Sequence, residues 1–112
     1  MRSSYVIAES LSTPPEDLAT LSREANVDVR WGVATNPSTP PDILTILGMD
    51  TFAGVRKGVA RNRNTPAETL MLLSKDRNED VRWRLAMNTS TPTDALTVLS
   101  QDEDIGVRWN VA

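Results

Sequence analysis

The chain has 112 residues, 39% hydrophobic and 24% charged, with a net charge of −3, the profile of one ordinary folded domain rather than a disordered or membrane-embedded chain. It has no cysteine and no histidine, which removes disulfides, thiolate metal sites, cysteine nucleophiles and imidazole acid–base chemistry. No apolar run approaches the roughly 20 residues of a membrane helix and no signal-peptide core follows Met1, so a cytoplasmic protein with a single domain over residues 1–112 is expected.

Taken from the N-terminus, residues 1–12 run in phase with a later segment but have lost its hallmarks. Ser3 to Ser10 aligns with Val29 to Asn36, keeping Ile7 for Val33 and Ala8 for Ala34 but lacking the Val-Arg pair and the Asn. A degenerate cap is expected there. From Thr13 onward the chain repeats with a period of 26 residues, the first thing to seek in any sequence. Units begin at Thr13, Thr39, Thr65 and Thr91, each followed by Pro, and Val-Arg recurs at Val29-Arg30, Val55-Arg56, Val81-Arg82 and Val107-Arg108. Leu18/Leu21, Leu44/Leu47, Leu70/Leu73 and Leu96/Leu99 follow the same step, as do Ala34, Ala60, Ala86 and Ala112, and then Asn36, Asn62 and Asn88.

Each unit predicts two helices. Thr is the expected N-cap of the first, Pro its first residue, and Glu16, Asp42, Glu68 or Asp94 the acid that completes a capping box. The leucines three apart form a one-sided apolar face, widened by Ile43, Ile46, Leu72 and Val98. The second segment, for example Asp28 to Thr35, places Val29 and Val33 on one side and is expected to be the shorter helix. The Asn after it is the expected left-handed residue that ends the helix. Helices this short are unstable alone, so the apolar faces of successive units must cover one another. The expected fold is therefore all-α, an α-solenoid of four two-helix repeats without a β-sheet. The chain stops at Ala112 inside a second segment; that end is expected to fray or be covered by another chain, a possible route to a homodimer, or to mark a piece of a longer protein.

The unit V-R-W-x-[VL]-A-x-N-x-[SN]-T-P-x-[DE]-x-L-x-x-L, with its acidic connector, resembles the leucine-rich-repeat variant family, bacterial helical repeats akin to HEAT and armadillo. The resemblance covers nearly all of the chain. It implies a right-handed superhelix of alternating α- and 3₁₀-type helices. The iron–sulfur cluster carried on cysteines in that family's first described member does not transfer to a chain without cysteine.

Three features bear on function. Arg30, Arg56, Arg82 and Arg108 read either as an anion-binding row or as a structural ladder paired with acids such as Glu24, Asp50, Asp76 and Asp102; the ladder is favoured. Trp31, Lys57, Trp83 and Trp109 share one repeat position, with Tyr5 in the cap. They read either as an exposed contact row or as packing between units. Arg56, Lys57, Arg61 and Arg63 form an acid-free run, with Arg82 and Arg84 one unit on, a local basic patch of the sort that meets acidic peptides or nucleic acid. Acid pairs such as Glu79/Asp80 fit capping and solvation better than calcium binding or catalysis. The sequence thus points to a non-catalytic scaffold that binds a protein or peptide through Trp31, Lys57, Trp83 and Trp109 with Arg56, Arg61, Arg63 and Arg84. It needs no cofactor and no metal. Nucleic-acid binding through the basic patch and self-association through the C-terminal end are the alternatives.

Overall fold

The computed structural model describes residues 14–111. The expected cap at 1–12, Tyr5, Thr13 and Ala112 lie outside them. The described residues form eight α-helices and no strand: α1 (Pro15–Leu21), α2 (Val27–Thr35), α3 (Pro41–Leu47), α4 (Ala53–Arg61), α5 (Ala67–Leu73), α6 (Glu79–Met87), α7 (Thr93–Ser100) and α8 (Ile105–Val111). The odd-numbered helices are the first members of the 26-residue units and the even-numbered ones the second. The body measures 47 × 20 × 17 Å.

Helices of seven to nine residues lie below the roughly 12 to 15 at which an isolated helix becomes even marginal in water. What holds them is burial of one continuous apolar cluster. Leu18, Leu44, Leu70 and Leu99 are fully buried together with Val33, Val55, Val59, Val81, Leu85 and Val107, each buried Leu or Val contributing about 1.5 to 3 kcal/mol relative to exposure. The second helices pack on one another in series, α2 on α4, α4 on α6 and α6 on α8, while each also packs on the first helix of its own unit or the next. Small residues allow this approach. A Cβ added at Gly58 would come within 2.9 Å of the Ala34 Cβ one unit back.

Three expectations about the helix ends are corrected. The Thr of each Thr-Pro pair is not the N-cap: Pro14, Pro40, Pro66 and Pro92 occupy that position in extended conformation and supply no side-chain cap. The Thr hydroxyl points back instead. Thr39, Thr65 and Thr91 donate to the carbonyls of Val33, Val59 and Leu85, six residues earlier, at 2.6 to 2.7 Å, and so join the end of one helix to the start of the next. The second helix is not the shorter one, nor a 3₁₀ segment; α2, α4 and α6 are nine-residue α-helices against seven for α1, α3 and α5. Side-chain caps occur on three of the second helices: Asn26 Oδ1 accepts from the Asp28 amide at α2, Asn78 Oδ1 from Asp80 and Val81 at α6, and Asp104 Oδ1 from Gly106 and Val107 at α8, while Phe52 gives α4 none.

The Asn residues do not adopt a left-handed conformation. Asn36, Asn62 and Asn88 are extended, with φ between −72° and −78°, and their side chains tie units together. Asn62 Nδ2 donates to the carbonyls of Ala34 and Asn36, and Asn88 Nδ2 donates to those of Ala60 and Asn62, at 2.8 to 3.1 Å. The Oδ1 atoms of Asn36, Asn62 and Asn88 accept from the amides two residues on. Carbonyls left over at the ends of α2 and α4 are thereby satisfied from the following unit.

Candidate interaction surface

The Arg series is a ladder. Arg30, Arg56 and Arg82 each place Nε 2.6 to 2.8 Å from a carboxylate oxygen of Asp50, Asp76 and Asp102, twenty residues ahead in the next connector. The same carboxylates accept from the amides of Phe52, Asn78 and Asp104, so each Asp shapes its own turn while it holds the Arg of the preceding unit. The Arg Nη1 atoms donate to connector carbonyls of Glu24 and Ala25, Asp50 and Thr51, and Asp76; Arg108 bonds the Asp102 carbonyl likewise. Arg56 and Arg82 are buried by these contacts. Both guanidinium groups are thus engaged within the chain, although Arg56 also borders an opening of about 330 Å³ with Asp76 and Arg77.

The row at the fifth position of the second helices is divided. Trp31 is 38% and Trp109 79% exposed. Trp83 is half-buried against the core and its Cδ1 lies 3.8 Å from where a Cβ of Gly106, one unit on, would stand. It is therefore partly packing between units. Gly54, which stands to Trp31 as Gly106 stands to Trp83, has nothing within 4 Å of its Cβ position, so Trp31 does not close on the next unit in that way. Lys57 is half-buried and shares an opening of about 300 Å³ with Glu79, Asp80, Trp83, Arg84 and Asp104. The α4–α6–α8 stacking thus places Trp83 in the wall of a mixed-charge hollow.

Arg61 and Arg63 are exposed and Arg84 half-buried. These three line a second, smaller opening of about 160 Å³ with Met87, Asn88 and Thr89. The Arg84 guanidinium stands 5.1 Å from the centre of the Trp83 ring, a cation–π distance. A further surface was not legible in the sequence. Ile46 and Leu72, expected on the buried stripe, are 58% and 66% exposed, because the short first helices bury only the face carrying the paired leucines. Among the described residues no group of three or more acids could hold a metal ion, and no helix is long and apolar enough to cross a membrane.

The periodic ties from Asn to carbonyl and from Arg to Asp run through the segment that matches a known family. Residues 53–78 match the family model described as leucine rich repeat variant. That stretch is similar to a leucine rich repeat variant unit. It holds α4, the Asn62 turn, α5 and the connector up to Asn78, one full period of the chain. No curated protein and no solved structure matches the chain. The resemblance read from the motif stands on this unit, and the other units share its leucines, its Val-Arg pair and its Thr-Pro turn.

Proposed function

We propose that the chain is a right-handed solenoid of four leucine rich repeat variant units acting as a non-catalytic cytoplasmic module, and that it binds a partner protein or peptide along the surface of its second helices. The observation that carries this reading is Trp31: a large aromatic at a repeat position that is 38% exposed and does not reach the Gly54 position of the following unit. Burying such a side chain in a partner contributes more than most contacts can, which is why aromatics dominate binding hot spots. Three further observations support the reading. Trp109 is exposed at the same repeat position. The second helices pack more closely from unit to unit than the first helices do, so their outward positions form one continuous row, as an extended ligand on a repeat protein requires. A chain without cysteine or histidine has few routes to acid–base or nucleophilic chemistry.

The test is selection from a displayed random-peptide library, run on the wild-type protein and on Trp31→Ala/Trp109→Ala. Both positions are exposed, so the variant should keep its helical circular dichroism. Selected peptides should lose about tenfold or more in affinity for the variant, the range of an aromatic hot spot. Peptides that bind both proteins equally, or a library from which nothing is enriched, would show that this face is not a peptide-binding surface.

A further inference from the structure

Within a repeated architecture, what stacking requires recurs every period. Arg30, Arg56, Arg82 and Arg108 recur, and the first three are neutralised by Asp50, Asp76 and Asp102. Arg61, Arg63 and Arg84 do not recur. One unit before and one unit after Arg61 stand Thr35 and Met87; around Arg63 stand Pro37 and Thr89; around Arg84 stand Gly58 and Asn110. Stacking therefore demands no arginine at any of these positions, yet three of them, drawn from two successive units, line the same opening. None forms an ion pair with an acid among the described residues, and no carboxylate lines the opening. Placement of Arg61 and Arg84 in the last turns of α4 and α6 suits the helix dipole, but that does not account for Arg63, which lies beyond the helix.

The backbone beneath these side chains is fixed. Asn88 Nδ2 holds the carbonyls of Ala60 and Asn62 on either side of Arg61, and Ser90 Oγ donates to the carbonyl of Arg63 at 3.1 Å. Arg84 is held over the Trp83 ring. Three like charges gathered on a prepared frame repel one another until an anion joins them. At about 160 Å³ the opening is smaller than the roughly 300 to 1,000 Å³ of small-molecule pockets, so it suits one oxyanion group projecting from a larger ligand. Planar guanidinium forks match the three terminal oxygens and near-double charge of a phosphomonoester better than the two oxygens of a carboxylate.

We propose that Arg61, Arg63 and Arg84 form a binding site for the phosphate of a phosphorylated peptide. The proposal rests on the reading of the second-helix surface as a peptide-binding face and names the chemistry of its ligand. A peptide is favoured over nucleic acid because the adjoining hollow carries Glu79, Asp80 and Asp104, which would repel the next phosphate of a polyanion but suit a basic residue beside a single phosphoserine, and because the chain as a whole is negative.

The test uses degenerate fluorescent peptide libraries centred on phosphoserine or on serine, with a single-stranded DNA 20-mer as a third probe. Binding is followed by fluorescence anisotropy on wild type, Arg84→Gln, Arg84→Lys, Arg61→Gln/Arg63→Gln and, as a charge control away from the opening, Arg23→Gln. The phosphoserine library should bind about tenfold or more tightly than the serine library, as expected for charge-assisted contacts. Arg84→Gln and the double variant should each abolish that preference, Arg84→Lys should restore part of it because charge returns without the fork, and Arg23→Gln should leave it intact. Equal binding of the two libraries, with loss of both in Trp31→Ala/Trp109→Ala, overturns the phosphate site while the peptide-binding reading stands. Loss of neither library in that Trp variant, with the phosphoserine preference still dependent on the arginines, sinks the Trp-row reading and leaves the site. DNA bound more tightly than the phosphoserine library, with a steep salt dependence, overturns the proposal in favour of a nucleic-acid ligand.

Discussion

Two sets of arginines in this protein differ in every respect except chemistry. Arg30, Arg56 and Arg82 repeat with the period, are shielded from water to 13% exposure or less and meet a carboxylate of the next unit at 2.6 to 2.8 Å. Arg61, Arg63 and Arg84 break the period, line one opening without a carboxylate and form no ion pair among the described residues, although Arg84 also borders the hollow that carries Glu79, Asp80 and Asp104. The same side chain serves stacking in one place and contact in the other, and what separates the two is whether the partner lies within the chain. Periodicity is the sequence's record of that difference, since a contact repeated between identical units must repeat in the residues that make it.

The contrast can be broken most forcefully at Asp76. Asp76→Ala leaves the Arg56 guanidinium buried without its carboxylate and frees the Asn78 amide, and should cost about 3 kcal/mol or more in urea unfolding. Adding Arg56→Met should recover much of that loss, because an apolar replacement of a buried pair removes the stranded charge. If Asp76→Ala were neutral, the ladder would not be structural.

Asn88→Ala should come next, at about 2 kcal/mol, since it leaves the carbonyls of Ala60 and Asn62 and the Ser90 amide without that partner. Gly58→Ala tests the closeness of the second helices. Its new methyl meets the Ala34 Cβ at 2.9 Å and Thr35 Cγ2 at 3.1 Å, and thermal unfolding should register about 1 to 2 kcal/mol of overpacking. The smallest effect belongs to the other set: Arg63→Gln should alter stability by no more than about 0.5 kcal/mol, as exposed substitutions do. A large loss there would move Arg63 into the structural class and dissolve the contrast. Salt sharpens the same division. In about 1 M NaCl, where screening acts over roughly 3 Å, the buried ladder should hold the urea midpoint nearly constant while phosphoserine-peptide binding falls.

Much of the architecture could be read before any coordinates. The four Thr-Pro turns, the paired leucines and the Val-Arg series placed the starts of the first helices to within a residue, the burial of most of the paired leucines and the pairing of Arg with a connector acid, but not the exposure of Ile46 and Leu72. The errors about the Thr and Asn residues share one cause. Thr39, Thr65 and Thr91 were expected to cap the helix that follows and instead bond the helix that precedes; Asn62 and Asn88 were expected to bend the backbone and instead reach across to the previous unit. In each case the residue was correctly placed at a joint, but its hydrogen-bond partner lies where local rules do not look.

Sequence alone determined the period, the helical class and the buried leucine and valine faces, because these follow from spacing along the chain and from the instability of short helices left uncovered. Only the tertiary structure decided which unit each polar side chain serves, that Trp83 lies near Gly106 of the next unit while Trp31 stays clear of Gly54, and that Arg61, Arg63 and Arg84 face one opening. The reason is geometric: a hydrogen bond or an ion pair is set within a few tenths of an ångström by how units stack, and residues 20 to 28 positions apart meet only once the stack exists.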